Sequence, residues 1–151
     1  MKRIMFICTS NICRSAMAHG LLEKKIRELN KNIEVYSSGI YANNGEKSTN
    51  YAIQIMKSYN VDLSAHFATH IDDTDMDNMD LVLCATVNHK KIMIEEYPEI
   101  KDRILTIKEY AECDKNGMDL DINDPFGGSL QGYSICAEEI SKCIEKIFKK
   151  I

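Results

Sequence analysis

Short, almost unbroken apolar runs alternate along this chain with segments of helical periodicity. The runs are residues 2–7 (Lys-Arg-Ile-Met-Phe-Ile), Ile33-Glu-Val-Tyr-Ser37, Asp80-Leu-Val-Leu-Cys-Ala85 and Arg103-Ile-Leu-Thr-Ile107. From Ser15, a natural N-cap, Ala18, Leu21, Leu22, Ile26 and Leu29 recur at three- and four-residue steps. Ala52, Ile55 and Met56 mark a second helix over Ser48–Tyr59; a third spans Val87–Tyr97 and stops at Pro98. Tyr133, Cys136, Ile140, Cys143, Ile144, Ile147 and Ile151 line one face of a long C-terminal helix. Strands lacking a polar face are covered on both sides, and strand–helix alternation supplies the crossovers that parallel pairing needs. The pattern predicts an α/β fold, a three-layer sandwich with helices on both faces of a parallel sheet.

At 151 residues, with no linker, repeat or shift of composition, the chain reads as a single domain over 1–151. The net charge of −4 argues against broad nucleic-acid binding. No apolar run approaches the roughly 20 residues that span a bilayer, so no membrane partner is expected. The apolar stretch after Lys2-Arg3 is too short for a signal-peptide core, which places the protein in the cytoplasm. The six cysteines include no Cys-x-x-Cys pair, so neither a disulfide framework nor a structural zinc site is expected. Asp73-x-Asp75-x-Asp77 imitates a calcium loop but lacks its glycine and its closing glutamate.

The chemistry concentrates where the first strand ends. In an open parallel sheet, ligands bind beyond the carboxyl ends of the strands, and that end delivers Cys8. It opens the segment Cys8-Thr-Ser-Asn-Ile-Cys-Arg-Ser15, a Cys-(x)5-Arg-Ser pattern running into a helix. The amides of a tight loop and a helix N-terminus have no intrahelical partners. Folded into an arc, the amides of Thr9, Ser10, Asn11, Ile12, Cys13, Arg14 and Ser15 would cradle a phosphate-sized anion. Arg14 would add a bidentate fork. The same positive field favours the thiolate of Cys8, a nucleophile poised for displacement at phosphorus. A cradle of this kind is expected to be inhibited by phosphate and vanadate.

These residues, together with Asp124-Pro-Phe-Gly-Gly-Ser129 late in the chain, resemble the low-molecular-weight protein tyrosine phosphatase family over nearly the whole length. The resemblance implies a four-stranded parallel sheet of order 2-1-3-4. It implies that Cys8 is the nucleophile, Arg14 the phosphate-binding arginine and Asp124 the general acid and base, with no metal or cofactor. It further implies that Ser15 donates to the Cys8 thiolate, that Cys13 forms a reversible disulfide with Cys8 under peroxide, and that His66 braces the cradle. Asn11 is a candidate to pin the loop by side-chain hydrogen bonds. Two positions depart from the family pattern: Ser10 stands where glycine is usual and Ala16 where proline is usual. A positive φ at position 10 would strain the serine.

Ile12, Tyr41 and Phe126 are the candidate walls for the substrate, apolar or aromatic groups that suit a phenyl ring. Ile12 matches relatives acting on phosphotyrosine, whereas a branch acting on protein phosphoarginine carries threonine there and shares Asp-Pro-Phe-Gly-Gly-Ser. The expected substrate is therefore a phosphotyrosine protein or peptide, with phosphoarginine as the alternative. A thioredoxin-coupled arsenate reductase is a weaker third reading, because Ala85–Lys91 after Cys84 holds no relay cysteine. His19, His70 and His89 read as surface residues, and Glu112–Ser129 as a long functional loop.

Overall fold

The computed structural model describes residues 2–113 and 119–151. Residues 114–118, in the expected loop 112–129, lie outside the described residues. Four strands, β1 (Lys2–Cys8), β2 (Ile33–Gly39), β3 (Leu81–Cys84) and β4 (Ile104–Thr106), form a parallel sheet of order β2-β1-β3-β4. Helices α1 (Arg14–Glu28), α2 (Asn50–Ser58), α3 (Val87–Glu96), α4 (Ile107–Ala111) and α5 (Leu130–Lys150) complete the fold.

The two-residue period of the strands sorts their side chains into two cores. Ile4 and Phe6 of β1 and Leu81 and Leu83 of β3 pack with residues of α1, α2, α4 and α5. Met5, Ile7, Val82 and Cys84 point the other way, against Met93 of α3 and Ile71, Met76 and Ile100 of three 3-10 segments. Helical layers thus cover both faces, as the unbroken apolar runs require. The chain leaves β1 toward β2 on one side and reaches β3 on the other, so the end of β1 lies at a topological switch point. There Cys8 pairs in register with Gly39, and Ile7 with Cys84.

Of the element boundaries that differ from the sequence-based expectation, two have a clear local cause. Ser15 does not cap α1: the helix begins at Arg14, Cys13 holds the N-cap position without a side-chain cap bond, and Ser15 is fully buried inside the first turn. Two loop groups recruit its hydroxyl instead. The strand expected over 103–107 ends at Thr106, because a reciprocal capping box between Thr106 and Glu109 starts α4 at Ile107. Thr49 caps α2 and Ser129 caps α5 by accepting from the Ala52 and Gly132 amides.

Candidate active site

Cys8 is 3% exposed and sits at the floor of the loop joining β1 to α1. Its sulfur lies 2.9 Å from Ser15 Oγ and 3.3 Å from the Asn11 amide. The proton directions follow from the neighbours. Asn11 Nδ2 donates to Ser15 Oγ at 2.7 Å, which leaves the Ser15 hydroxyl proton directed at Cys8 Sγ. The sulfur thus receives two donors, an environment suited to an anion.

Asn11 organises the loop. It is fully buried and adopts a left-handed conformation with φ 59°, which asparagine tolerates better than most residues. Its Oδ1 accepts from the Thr69 amide at 3.0 Å, and its carbonyl lies 2.9 Å from His66 Nε2. A carbonyl only accepts, so His66 donates from Nε2. Burial pulls the His66 pKa down, and the bond to Asn11 acts against that. The positive φ therefore falls at Asn11 and not at Ser10, so Ser10 carries none of the expected strain. Asn11 and Ser15 stand behind the cradle and hold its shape.

Arg14 is 5% exposed and held from two sides. Nη1 donates to the Ile122 carbonyl at 2.8 Å; Nη2 donates to Thr9 Oγ1 at 3.5 Å and lies 3.5 Å from Asp124 Oδ2. Asp124 is half exposed. Its Oδ1 accepts from the Phe126 amide at 3.0 Å, which closes an Asx turn. Gly128 N–H then donates to the Pro125 carbonyl at 3.0 Å, with Gly127 at φ 79° in the position of a turn that requires a positive φ. The segment Asp-Pro-Phe-Gly-Gly-Ser thus presents a carboxylate and an aromatic ring, reverses the chain and caps α5.

A pocket of about 60 Å³, open to solvent, lies between these parts. Cys8, Thr9, Ser10, Ile12, Cys13 and Arg14 line it from the loop, and Asp124 and Phe126 from the other side. Tyr41 is not among the lining residues. Its amide donates to the Thr9 carbonyl at 2.8 Å, but its side chain is 68% exposed, so it joins the site through its backbone and not as an opposite wall. Cys13 Sγ lies 3.4 Å from Tyr133 Oη and 3.7 Å from Thr49 Oγ1; burial pushes its thiol pKa up.

Two residues at the site escape a reading of the sequence. His89, expected at the surface, is 6% exposed, because the first turn of α3 lands against the cradle loop. Burial, followed by the nearby Arg14 guanidinium, pulls its pKa down to about 4. Between the ordinary imidazole range and that value only the unfolded chain takes the proton, so folding stability falls as pH drops through this window. Gly39 is the second. A Cβ there would lie 2.6 Å from the Thr9 carbonyl oxygen and 2.9 Å from the Asn11 amide nitrogen, both rigid backbone. Gly39→Ala must displace the loop, at a cost of about 1–3 kcal/mol. Its expected signature is a Tm lower by several degrees, read by thermal unfolding.

Comparison with known proteins agrees with this geometry. Residues 3–151 match the family model described as low molecular weight phosphotyrosine protein phosphatase. The protein-arginine-phosphatase of Geobacillus stearothermophilus is 34% identical over 149 residues, 99% of this chain and 95% of that protein. The low molecular weight protein-tyrosine-phosphatase PtpB of Staphylococcus epidermidis is 29% identical over 146 residues, 96% of each. The crystal structure of a low molecular weight protein tyrosine phosphatase from T. tengcongensis is similar with a TM-score of 0.91 and 37% identity, over 100% of both chains. With the matching fold and a buried cysteine facing an arginine across an anion-sized pocket, this chain belongs to the low molecular weight phosphotyrosine protein phosphatase family of cysteine-based phosphatases.

Proposed function

We propose that the chain, as one phosphatase domain, hydrolyses phosphotyrosine in proteins through a phosphocysteine intermediate formed on Cys8. The observation that carries this reading is the pair of donors on Cys8 Sγ, at 2.9 and 3.3 Å, beneath a pocket rimmed by Arg14. Cys8 attacks phosphorus in line. The transition state is loose, with charge on three equatorial oxygens, and the amides of residues 9–15 with the Arg14 guanidinium are the donors that meet them. Asp124 protonates the departing phenolate oxygen, then takes a proton from the water that hydrolyses the phosphocysteine.

The apolar flanks support an aromatic substrate. The Ile12 side chain offers the pocket no hydrogen bond, and Phe126, 64% exposed, lines it with an aromatic residue. A second reading, phosphoarginine, is favoured by a different observation: the 34% identical Geobacillus relative is named a protein-arginine-phosphatase. A guanidinium leaving group would also find the half-exposed Asp124 carboxylate at the rim. Rates on matched phosphotyrosine and phosphoarginine peptides separate the two. The expected kcat/KM is roughly tenfold or more higher for phosphotyrosine; the reverse order assigns the enzyme to phosphoarginine.

A redox role for Cys13 belongs to the same proposal. Its sulfur is held at the pocket by Tyr133 and Thr49; once peroxide has converted the Cys8 thiolate to the sulfenic acid, Cys13 attacks that sulfur and the hydroxyl leaves as water with the Cys13 proton, forming the disulfide. Among the described residues no helix is long and apolar enough to cross a membrane. A cytoplasmic phosphoprotein is the partner this reading assigns, and phosphate and vanadate the inhibitors.

A further inference from the structure

Both ring nitrogens of His89 are engaged. Nε2 lies 2.9 Å from Thr9 Oγ1, and Nδ1 lies 2.9 Å from Thr86 Oγ1, which also accepts the His89 backbone amide at 3.1 Å as the cap of α3. Thr9 Oγ1 in turn accepts from Arg14 Nη2. We propose that His89 is a positioning residue: a one-way hydrogen-bond chain, Arg14 to Thr9 to His89 to Thr86, fixes the Arg14 guanidinium at the rim of the phosphate pocket. The inference rests on the phosphatase reading of that pocket.

Donor and acceptor counting fixes the first step of the proposed direction, and the ring tautomer sets the rest. Arginine only donates, so Thr9 Oγ1 is an acceptor for Nη2. The Thr9 hydroxyl proton then turns to His89 Nε2, which accepts only if the ring proton sits on Nδ1. Nδ1–H donates onward to Thr86 Oγ1, which accepts it beside the His89 backbone amide. The opposite tautomer would shift the double acceptance to Thr9 Oγ1, taking both Arg14 Nη2 and Nε2–H, while Thr86 donates to Nδ1, so the ring tautomer is the direct readout of the proposed direction.

The same turn between β3 and α3 also holds the other arm of Arg14. The Ala85 carbonyl accepts from the Ile122 amide at 2.8 Å, and the Ile122 carbonyl takes Nη1 at 2.8 Å. The Val87 amide donates to Asp121 Oδ1 at 2.8 Å. Both terminal guanidinium nitrogens, Nη1 and Nη2, are therefore referenced to one strand-to-helix corner. A bidentate fork needs its plane fixed before the anion arrives, since orientation lost in the free enzyme must be recovered in the transition state.

The test joins spectroscopy to kinetics. In ¹⁵N-histidine-labelled wild type at neutral pH, NMR is expected to show His89 as the Nδ1–H tautomer; the Nε2–H tautomer overturns the chain. His89→Ala is expected to lower kcat/KM on p-nitrophenyl phosphate by about tenfold or more and to weaken inorganic phosphate binding, read by calorimetry, by a similar factor. His89→Gln places an amide carbonyl where Nε2 accepts from Thr9, and it should recover most of both losses. A residue that merely fills space would change Tm without this recovery, so a glutamine no better than alanine also overturns the proposal. Where His89→Ala fails to fold, the tautomer and the glutamine variant decide. A wild type that binds phosphate but turns nothing over sinks the phosphatase reading alone. An active wild type with an indifferent His89→Ala sinks the chain alone.

Discussion

Cys8→Ser is expected to reduce turnover of p-nitrophenyl phosphate by at least about 10⁴-fold, the scale on which loss of an enzyme nucleophile is felt, while leaving phosphate binding close to wild type. A serine hydroxyl needs a base to become a nucleophile. The groups within hydrogen-bond distance of the Cys8 sulfur are the Ser15 hydroxyl and the Asn11 amide, both of which serve as donors here. They stabilise a sulfur anion and do nothing to ionise an alcohol. The binding half of the prediction has a separate cause. Serine is close in size to cysteine and keeps partners for its oxygen in the same buried position, so no polar group is orphaned. Arg14 is held by Ile122, Thr9 and Asp124, none of which touches Cys8 Sγ through a hydrogen bond. Calorimetric titration with inorganic phosphate, beside steady-state assays, separates the two halves. Near-normal turnover in the serine variant would remove Cys8 from the role of nucleophile.

What the sequence makes legible here is local. Cys8, Arg14 and the start of α1 lie within one strand–loop–helix unit, so spacing alone places the thiol and the guanidinium around a shared cradle. The apolar runs forecast a sheet covered on both faces, and the register of β1 against its neighbours delivers Cys8 to the switch point. What was not legible depends on contacts between distant segments. His89 is 80 residues from Thr9 in the chain, and only the packing of the α3 corner against the loop makes it buried and neutral. Gly39 looks like ordinary loop punctuation until the strand pairing sets its Cα beside the Thr9 and Asn11 backbone. Ser15 has the residue type of a helix cap, but two loop partners compete for its hydroxyl and win. Tyr41 has the residue type of an aromatic wall, but its strand-end backbone contact leaves the ring in solvent. The serine at position 10 is tolerated because the loop bends at Asn11, one residue later.

Asp124→Asn should split the two halves of the reaction. The asparagine Oδ1 still accepts from the Phe126 amide, so the turn that the aspartate closes at 3.0 Å is retained while proton transfer is lost. The ion pair of Asp124 with Arg14 at 3.5 Å disappears as well, but Arg14 keeps its bonds to Ile122 and Thr9. Forming the phosphocysteine from phenyl phosphate requires a proton on the leaving oxygen, so kcat/KM on that substrate should fall by about 10²–10³-fold. p-Nitrophenolate leaves without help, and kcat/KM on its ester should fall far less. In the proposed mechanism the second step uses Asp124 as a base whatever group has left. On p-nitrophenyl phosphate, kcat is therefore expected to drop while kcat/KM holds, and stopped-flow traces should show a burst of p-nitrophenolate as phosphocysteine accumulates. Asp124→Ala, which also opens the turn, should show the same split with a further loss in KM. Equal losses on both esters, with no burst, would mean that Asp124 holds the loop and moves no proton.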